Sequence, residues 1–189
     1  KLISNSIKLR LRSDVKVGSC LSGGLDSSTI ASIAARMRDM KSDRFMAIHA
    51  KSAEPNTDES QFARSVAKAA DIQLHEIEPQ LEEFIEALDE VINCQEEPFG
   101  GASIFMQFFV MKKAKELGCT VLLDGQGGDE TLLGYERHYP TMIKSLPTFQ
   151  IPRGFKNVVY KSKLSPSKLL QYVFYFMSSK IRTLVLLKR

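Results

Sequence analysis

The chain has 189 residues, 43% of them apolar and 25% charged, enough for one α/β core with an ordinary polar surface. No uninterrupted apolar run reaches the length of a membrane span, and no secretory signal opens the chain. The formal net charge of +4 is unevenly spread: residues 1–136 carry 15 Lys and Arg against all 22 acids, and residues 137–189 carry 11 Lys and Arg with no acid at all.

Residues 1–12 read as a helix or linker leading into Asp14, starting without Met; residues 1–14 are expected to be a lead-in from a preceding domain. A short strand is expected over 15–21 and a helix over about 27–40, with Ile30, Ile33, Ala34 and Met37 on one helical face. Between them lies Ser22-Gly23-Gly24-Leu25-Asp26-Ser27-Ser28. A Gly- and Ser-rich loop running into a helix N-terminus presents free backbone N–H groups and the positive end of the helix dipole. Phosphate is the natural occupant. Gly23 and Gly24 allow close backbone approach, and Ser22, Ser27 and Ser28 add hydroxyls. The plain alternative is an ordinary capped strand-to-helix turn. The heptapeptide fits neither the Walker pattern nor GxGxxG. It resembles the SGGxDS loop of the ATP pyrophosphatase superfamily, which implies ATP cleaved between its α- and β-phosphates.

Residues 45–50 form a second apolar strand, followed by a polar loop, 51–58, with Pro55 and Asn56 as turn residues. Thr57 or Asp58 is the expected N-cap of a helix with Phe62, Ala63, Val66, Ala67 and Ala70 on one face. A third strand covers 72–77. Leu81, Phe84, Ile85 and Leu88 mark one helix ending near Asn93. After a break at 96–101, Ile104, Phe105, Phe108, Phe109 and Leu117 give a long helix closed by Gly118. Its aromatic cluster reads as core. The last strand, 119–123, runs directly into Asp124-Gly125-Gln126-Gly127-Gly128-Asp129-Glu130.

Of the three cysteines, Cys20 and Cys119 lie in apolar runs and Cys94 stands apart. They read as small buried hydrophobes in a reducing compartment rather than as disulfides or a metal site. His49, His75 and His138 show no ligand spacing. A cytoplasmic location follows as an expectation. Alternating strands and helices imply an α/β fold with a parallel twisted sheet and helices on both faces. Loops after its strands gather at the carboxyl edge, where ligands bind. If the first and fourth strands are neighbours, Asp26 and Asp129 face each other across a cleft. Two carboxylates beside a polyphosphate call for a Mg²⁺ between them. Asp129 and Glu130 also suit the N-terminus of a following helix, and the two roles are compatible.

Taken with SGGLDSS, the run 122–135 (LLDGQGGDETLLGY) resembles the synthetase domain of class B glutamine-hydrolysing asparagine synthetases. Thr57-Asp58-Glu59, Ala63, His75, Glu97-Pro98 before Phe99, and the lead-in 10–15 follow that family's order. The resemblance covers about residues 8–140 and implies an adenine nucleotide alpha hydrolase-like, Rossmann-like fold. It also implies ATP-dependent amide formation: a carboxylate (aspartate in the namesake) attacks the α-phosphate to give an acyl-adenylate, and ammonia displaces AMP. By motif match, Leu21 and Ile48 would contact adenosine through backbone atoms. Ser22, Gly23, Gly24, Leu25, Asp26, Ser27 and Ser28 would form the ATP loop, Asp124 and Gly125 would flank the nucleotide, and Asp26 and Asp129 would bind Mg²⁺. The usual second loop reads SGEGxDE. Asp124 stands here for the Ser and Gln126 for the Glu expected near the reacting carboxylate and amine. The full-length partner would be an N-terminal glutaminase domain, whose leading Cys is absent here, and a homodimer is a further expectation. The family's later lysine-bearing segment is not recognisable before Arg189. On this reading 15–140 is the ATP pyrophosphatase domain.

Residues 141–189 read as a basic helical segment. Leu169, Leu170, Val173, Phe174, Met177, Ile181, Leu184 and Val185 share a face, among Lys168, Lys180, Arg182, Lys188 and Arg189. An amphipathic membrane-surface helix, an RNA-binding face and an inner helix of the full synthetase domain are the three readings, the last preferred. The rival functions are a nucleotide-binding piece inactive by itself and a tRNA-modifying enzyme acting on another acceptor.

Overall fold

The structure is a computed structural model that describes residues 1–38, 44–52, 54, 57–101, 103–132, 134–162 and 164–177. Contacts divide the chain into two compact units, Lys1–Gly125 and Gln126–Arg189.

The first unit is built on four parallel strands: β1 (Val17–Cys20), β2 (Met46–Ala50), β3 (Gln73–Ile77) and β4 (Val121–Leu123), in the order β3-β2-β1-β4. The first strand therefore pairs with both the second and the fourth, in registers Ser19↔Ala47 and Ser19↔Leu123. Helices α1 (Leu2–Arg10), α2 (Leu25–Met37) and α3 (Ser60–Ala69) precede or follow these strands, then α4 (Leu81–Glu86), α5 (Leu88–Gln95) and α6 (Ser103–Glu116). Strand alternation sends successive β2 residues to opposite faces. Ala47 joins Ala31, Ala34, Ala35, Ala63 and Ala67 in a core beneath α2 and α3. Met46 and Ile48 join Val110 and Ala114 of α6 in a second core on the other face. The expected α/β architecture, a parallel Rossmann-like sheet covered on both faces, is thus what the chain forms.

Four details differ from the sequence reading. The buried stripe of α2 is Ala31, Ala34 and Ala35; Ile30 and Ile33 pack at its margin and Met37 is exposed. Small side chains let the helix lie close to the sheet, so the bulkier residues are displaced to the sides. Phe62 of α3 is likewise exposed. Helix α3 begins at Ser60 with Glu59 as its N-cap, while Asp58 accepts the Ser60 amide from one residue further back. The segment expected as one helix over 81–93 is two, α4 and α5, broken at Ala87. The Glu83 carboxylate accepts the Gln80 N–H at 2.8 Å, which fixes the start of α4. The turn residues Pro55 and Asn56 lie outside the described residues.

The second unit is helical: α7 (Gly128–Leu132), α8 (Tyr139–Ser145), α9 (Ile151–Ser162) and α10 (Pro166–Met177). Ile143, Val158 and Leu169 form its core, with Tyr139, Ile151, Phe155 and Val173 packed around them. On the expected α10 face Leu169 and Val173 turn inward, whereas Leu170 and Phe174 are exposed. The side chain of Met177, and Ile181, Leu184, Val185, Lys180, Arg182, Lys188 and Arg189, lie outside the described residues. Among the described residues no helix is long and apolar enough to cross a membrane. Lys168 pairs with Glu136 at 3.1 Å, and Tyr172 donates to the same carboxylate at 3.1 Å.

Leu169 has no exposed surface, so Leu169→Ala should lower the stability of this unit by about 2–5 kcal/mol. Hydrogen exchange of the α8–α10 amides reads this, with the β-sheet amides as internal reference; unchanged protection over α8–α10 would contradict the packing.

Candidate functional site

The site is built at the carboxyl ends of β1 and β4. Ser19, with no exposed surface, donates its hydroxyl at the junction of the two strands, 3.0 Å from the Leu123 carbonyl and 2.9 Å from that of Cys20. One residue past the strand, the Leu21 N–H donates to the Ile48 carbonyl at 2.9 Å. The chain then turns through Ser22, Gly23 and Gly24 into α2. Gly24 is the N-cap of α2 and offers no side chain to cap it, so the first-turn amides and the positive end of the dipole are left for a ligand.

The loop is preset by its own serines. The Ser22 N–H donates to Ser27 Oγ at 3.2 Å, the two hydroxyls lie 2.8 Å apart, and the Gly24 N–H donates to Ser22 Oγ at 3.2 Å. Ser27 is buried, and its hydroxyl is engaged inside the loop. Ser28 differs: its Oγ is buried and has no hydrogen-bond partner among the described residues. Leu25 is exposed. Asp26, in the first turn of α2, forms no ion pair or hydrogen bond among the described residues.

Gly23 also has a packing role. Its φ is +98°, and a Cβ there would lie 2.9 Å from the Glu59 carbonyl oxygen, 3.1 Å from Phe62 Cβ and 3.2 Å from the Ala63 nitrogen. It seats the loop against the first turn of α3, in a backbone conformation that glycine adopts without strain.

The second loop approaches the first just as closely. A Cβ on Gly125 would lie 2.9 Å from the Ser27 nitrogen and 3.0 Å from Asp26 Cβ. The bare backbone of Gly125 therefore lies on the first turn of α2. The preceding residue, Asp124, accepts the Gly125 N–H on its carboxylate at 2.6 Å. Beside Asp124 sits Cys20, whose thiol is pushed up to about 12 by burial first and by the Asp124 charge second. The structure thus brings Ser22, Gly24, Asp26, Ser27, Asp124 and Gly125 together within one unit. Asp129 and Gln126 belong to the other unit, where Asp129 falls in the first turn of α7 and its carboxylate lies where a Cβ on Gly134 would be. Among the described residues no group of three or more His, Cys, Asp or Glu side chains forms a metal cage.

A network that the sequence reading passed over stands behind the loop. His49, only 2% exposed, holds the Leu21 carbonyl through Nδ1 at 2.8 Å and Ser60 Oγ through Nε2 at 3.0 Å. Ser60 is bonded through both hydroxyl and amide to Asp58. The signal present in the sequence is a single polar residue in the apolar strand Phe45–Ala50, in phase with Ala47 on the face that α3 covers.

A family model described as asparagine synthase matches residues 1–184. The chain belongs to this asparagine synthase family. A putative glutamine-hydrolysing asparagine synthetase of Methanocaldococcus jannaschii is 34% identical over 165 residues, 85% of this chain and 31% of that protein. Asparagine synthetase 1 of Bacillus subtilis is 31% identical over 157 residues, 83% of this chain and 24% of its own. The mouse asparagine synthetase is 35% identical over 138 residues, 71% and 24% of the two chains. This synthase-family chain spans about a third or less of the relatives it matches. An NH3-dependent NAD synthetase from Campylobacter jejuni aligns over 96% of this chain and 78% of its own, with 18% identity and a TM-score of 0.47.

A methyl group at position 125 would meet backbone and not a flexible side chain. If the first turn of α2 is an anion site, Gly125→Ala should weaken its binding of pyrophosphate by roughly tenfold or more, the size of losing one hydrogen bond to a charged group. Isothermal titration measures it, with circular dichroism as the check on folding; an unchanged affinity would separate these amides from anion binding.

Proposed function

We propose that this chain carries the ATP-handling part of a ligase that forms an amide through an acyl-adenylate, releasing AMP and pyrophosphate, with asparagine made from aspartate and glutamine-derived ammonia. The observation that carries the reading is the seating of Gly125 on the uncapped first turn of α2. It joins the loops after β1 and β4 into one backbone-lined anion site at the point where strand order reverses.

The chemistry asked of such a site is modest. The first-turn amides of α2 and the preset Ser22–Ser27 loop would hold the departing pyrophosphate, already oriented before it arrives. The unpartnered Ser28 hydroxyl is a further donor at the same turn. Asp124 and Gly125 would border the nucleotide, and the strand ends at Leu21 and Ile48 its adenosine. The Leu21 N–H is already bonded to the Ile48 carbonyl, so a backbone contact with adenosine would fall to the free lone pair of its carbonyl oxygen.

The donor set fits Mg²⁺. That ion is held by one or two carboxylates together with phosphate oxygens rather than by an all-protein cage. Asp26, unpaired and at the phosphate-binding turn, is such a carboxylate, and Asp129 is the second by motif. When bound, Mg²⁺ neutralises charge on the phosphate oxygens. Attack of the substrate carboxylate on the α-phosphate then needs in-line placement more than a protein base. Gln126, in place of the usual Glu, cannot take a proton from an ammonium ion, so the amine must reach the adenylate as neutral ammonia. A change of acceptor is the alternative that this residue raises, and an N-terminal glutaminase domain would be the source of ammonia.

With Mg²⁺ present, ATP should bind the chain with one-to-one stoichiometry in isothermal titration, and aspartate with ammonium should release pyrophosphate. Asp26→Asn should lower that release about 100-fold or more without changing the circular dichroism. Gln126→Glu should raise turnover most at pH values where ammonium dominates. A chain that binds no ATP with Mg²⁺ would sink this reading, and normal turnover of Asp26→Asn would remove the metal from Asp26.

A further inference from the structure

We propose that His49 is the positioning residue of the first loop, an imidazolium that ties the Leu21 carbonyl to Ser60 and is neutralised by Asp58 through the Ser60 hydroxyl. The proposal rests on counting protons. A carbonyl oxygen only accepts, so the contact of Nδ1 with Leu21 requires Nδ1–H. Ser60 has one hydroxyl proton and two acidic or basic neighbours, Asp58 and His49 Nε2. If Asp58 is ionised it can only accept, so the hydroxyl proton goes to Asp58. Ser60 Oγ must then accept from Nε2–H, and both ring nitrogens carry protons. A neutral ring takes the Ser60 hydroxyl proton on Nε2, which leaves the hydroxyl oxygen against an Asp58 carboxylate oxygen with no proton between them unless Asp58 is itself protonated.

The surroundings favour the charged arrangement. The Ser60 hydroxyl, first, and the Lys51 charge hold the Asp58 carboxyl below its ordinary value, against its partial desolvation. Burying an imidazolium is costly unless it is paired and hydrogen-bonded, and here both N–H groups have acceptors. The other charged groups on the packed elements are mostly committed elsewhere. Glu76, opposite His49 on β3, is bridged by Arg64 of α3 at 2.9 Å, and Lys51 pairs with Glu78 at 2.8 Å. Asp26 and Arg36 of α2, and Lys68 of α3 with Glu59 at its N-cap, are the others on these helices.

What the ring holds explains its purpose. Leu21 is the last residue before the loop, and Ser60 opens α3, the helix on which Gly23 rests. His49 thus fixes the loop at its entry to the same helical turn that supports its middle. Among the described residues the hydrogen bonds of Asp58, Ser60 and His49 reach the loop only at Leu21, so their effect on a nucleotide would pass through the loop's position. The consequence for ATP rests on the function proposed above; the charge of the ring does not.

The full chain labelled with ¹⁵N-histidine has three ring spin systems, and His49→Gln identifies one of them. At pH 7 the His49 ring should show two N–H protons, and in Asp58→Asn, where the counter-charge is gone, one. A singly protonated ring in the wild type overturns the proposal. ATP titration supplies the second arm. Asp58→Asn and Ser60→Ala should each weaken ATP binding by roughly tenfold, as for one lost hydrogen bond to a charged group, and the double variant no further. Two folded variants that bind ATP as tightly as the wild type also overturn it. A wild type that binds no ATP defeats the proposed function instead and leaves the ring spectrum to decide the charge of His49.

Discussion

The closeness of Gly125 to the first turn of α2 is the constraint on which the rest of the first unit depends. Two loops from strands more than a hundred residues apart in sequence meet backbone to backbone, and several features serve that meeting. The β1–β4 pairing brings the two carboxyl ends level. The Ser19 hydroxyl closes the gap between the strands at their ends. Gly23 lets the first loop settle on α3, and small alanines let α2 lie low enough on the sheet for its N-terminus to reach the second loop. Each is a packing requirement first, and together they leave one uncapped helix end facing a glycine.

Most of the architecture was legible in the sequence because the signals are local. Apolar runs of four to six residues alternate with helical periodicity, and both glycine-rich loops stand directly after strands. What local signals do not carry is which residues meet. Gly23 reads in the sequence as room for an anion; the atoms that would also exclude a Cβ there belong to Glu59, Phe62 and Ala63, some forty residues later. The single helix read over 81–93 breaks because Gln80 and Glu83 start one short helix and Ala87 begins another, a competition between caps that periodicity does not register. His49 passed for an isolated histidine because its partners, Leu21 and Ser60, are brought to it by the sheet and by α3. Asp58 was recognised as a helix-start residue, which is half of its part.

The two glycine-rich loops are not equivalent as evidence. The first is complete within one unit, from strand to helix. The second is divided: Asp124 and Gly125 close the sheet unit, and Gln126 opens the helical one. Residues proposed to border the nucleotide and the residue proposed to bear on the acceptor therefore sit on either side of one peptide bond. The departures from the usual loop, Asp124 and Gln126, fall one on each side. An altered acceptor and a retained nucleotide site are compatible on the proposed reading, since the loop after β1 and the backbone of Gly125 lie in the sheet unit and position 126 does not.

Cys20 stands at the end of β1 beside Asp124, with its thiol raised to about 12 by burial and by that carboxylate. At neutral pH the sulfur keeps its proton, and a soft metal would have to displace it to bind there. In the proposed site the donor that this unit would offer a cation is the carboxylate oxygen of Asp26, in the first turn of α2. A cation held there, as the proposed function requires, would meet hard oxygen donors and no thiolate, a consequence of how the sheet packs Cys20.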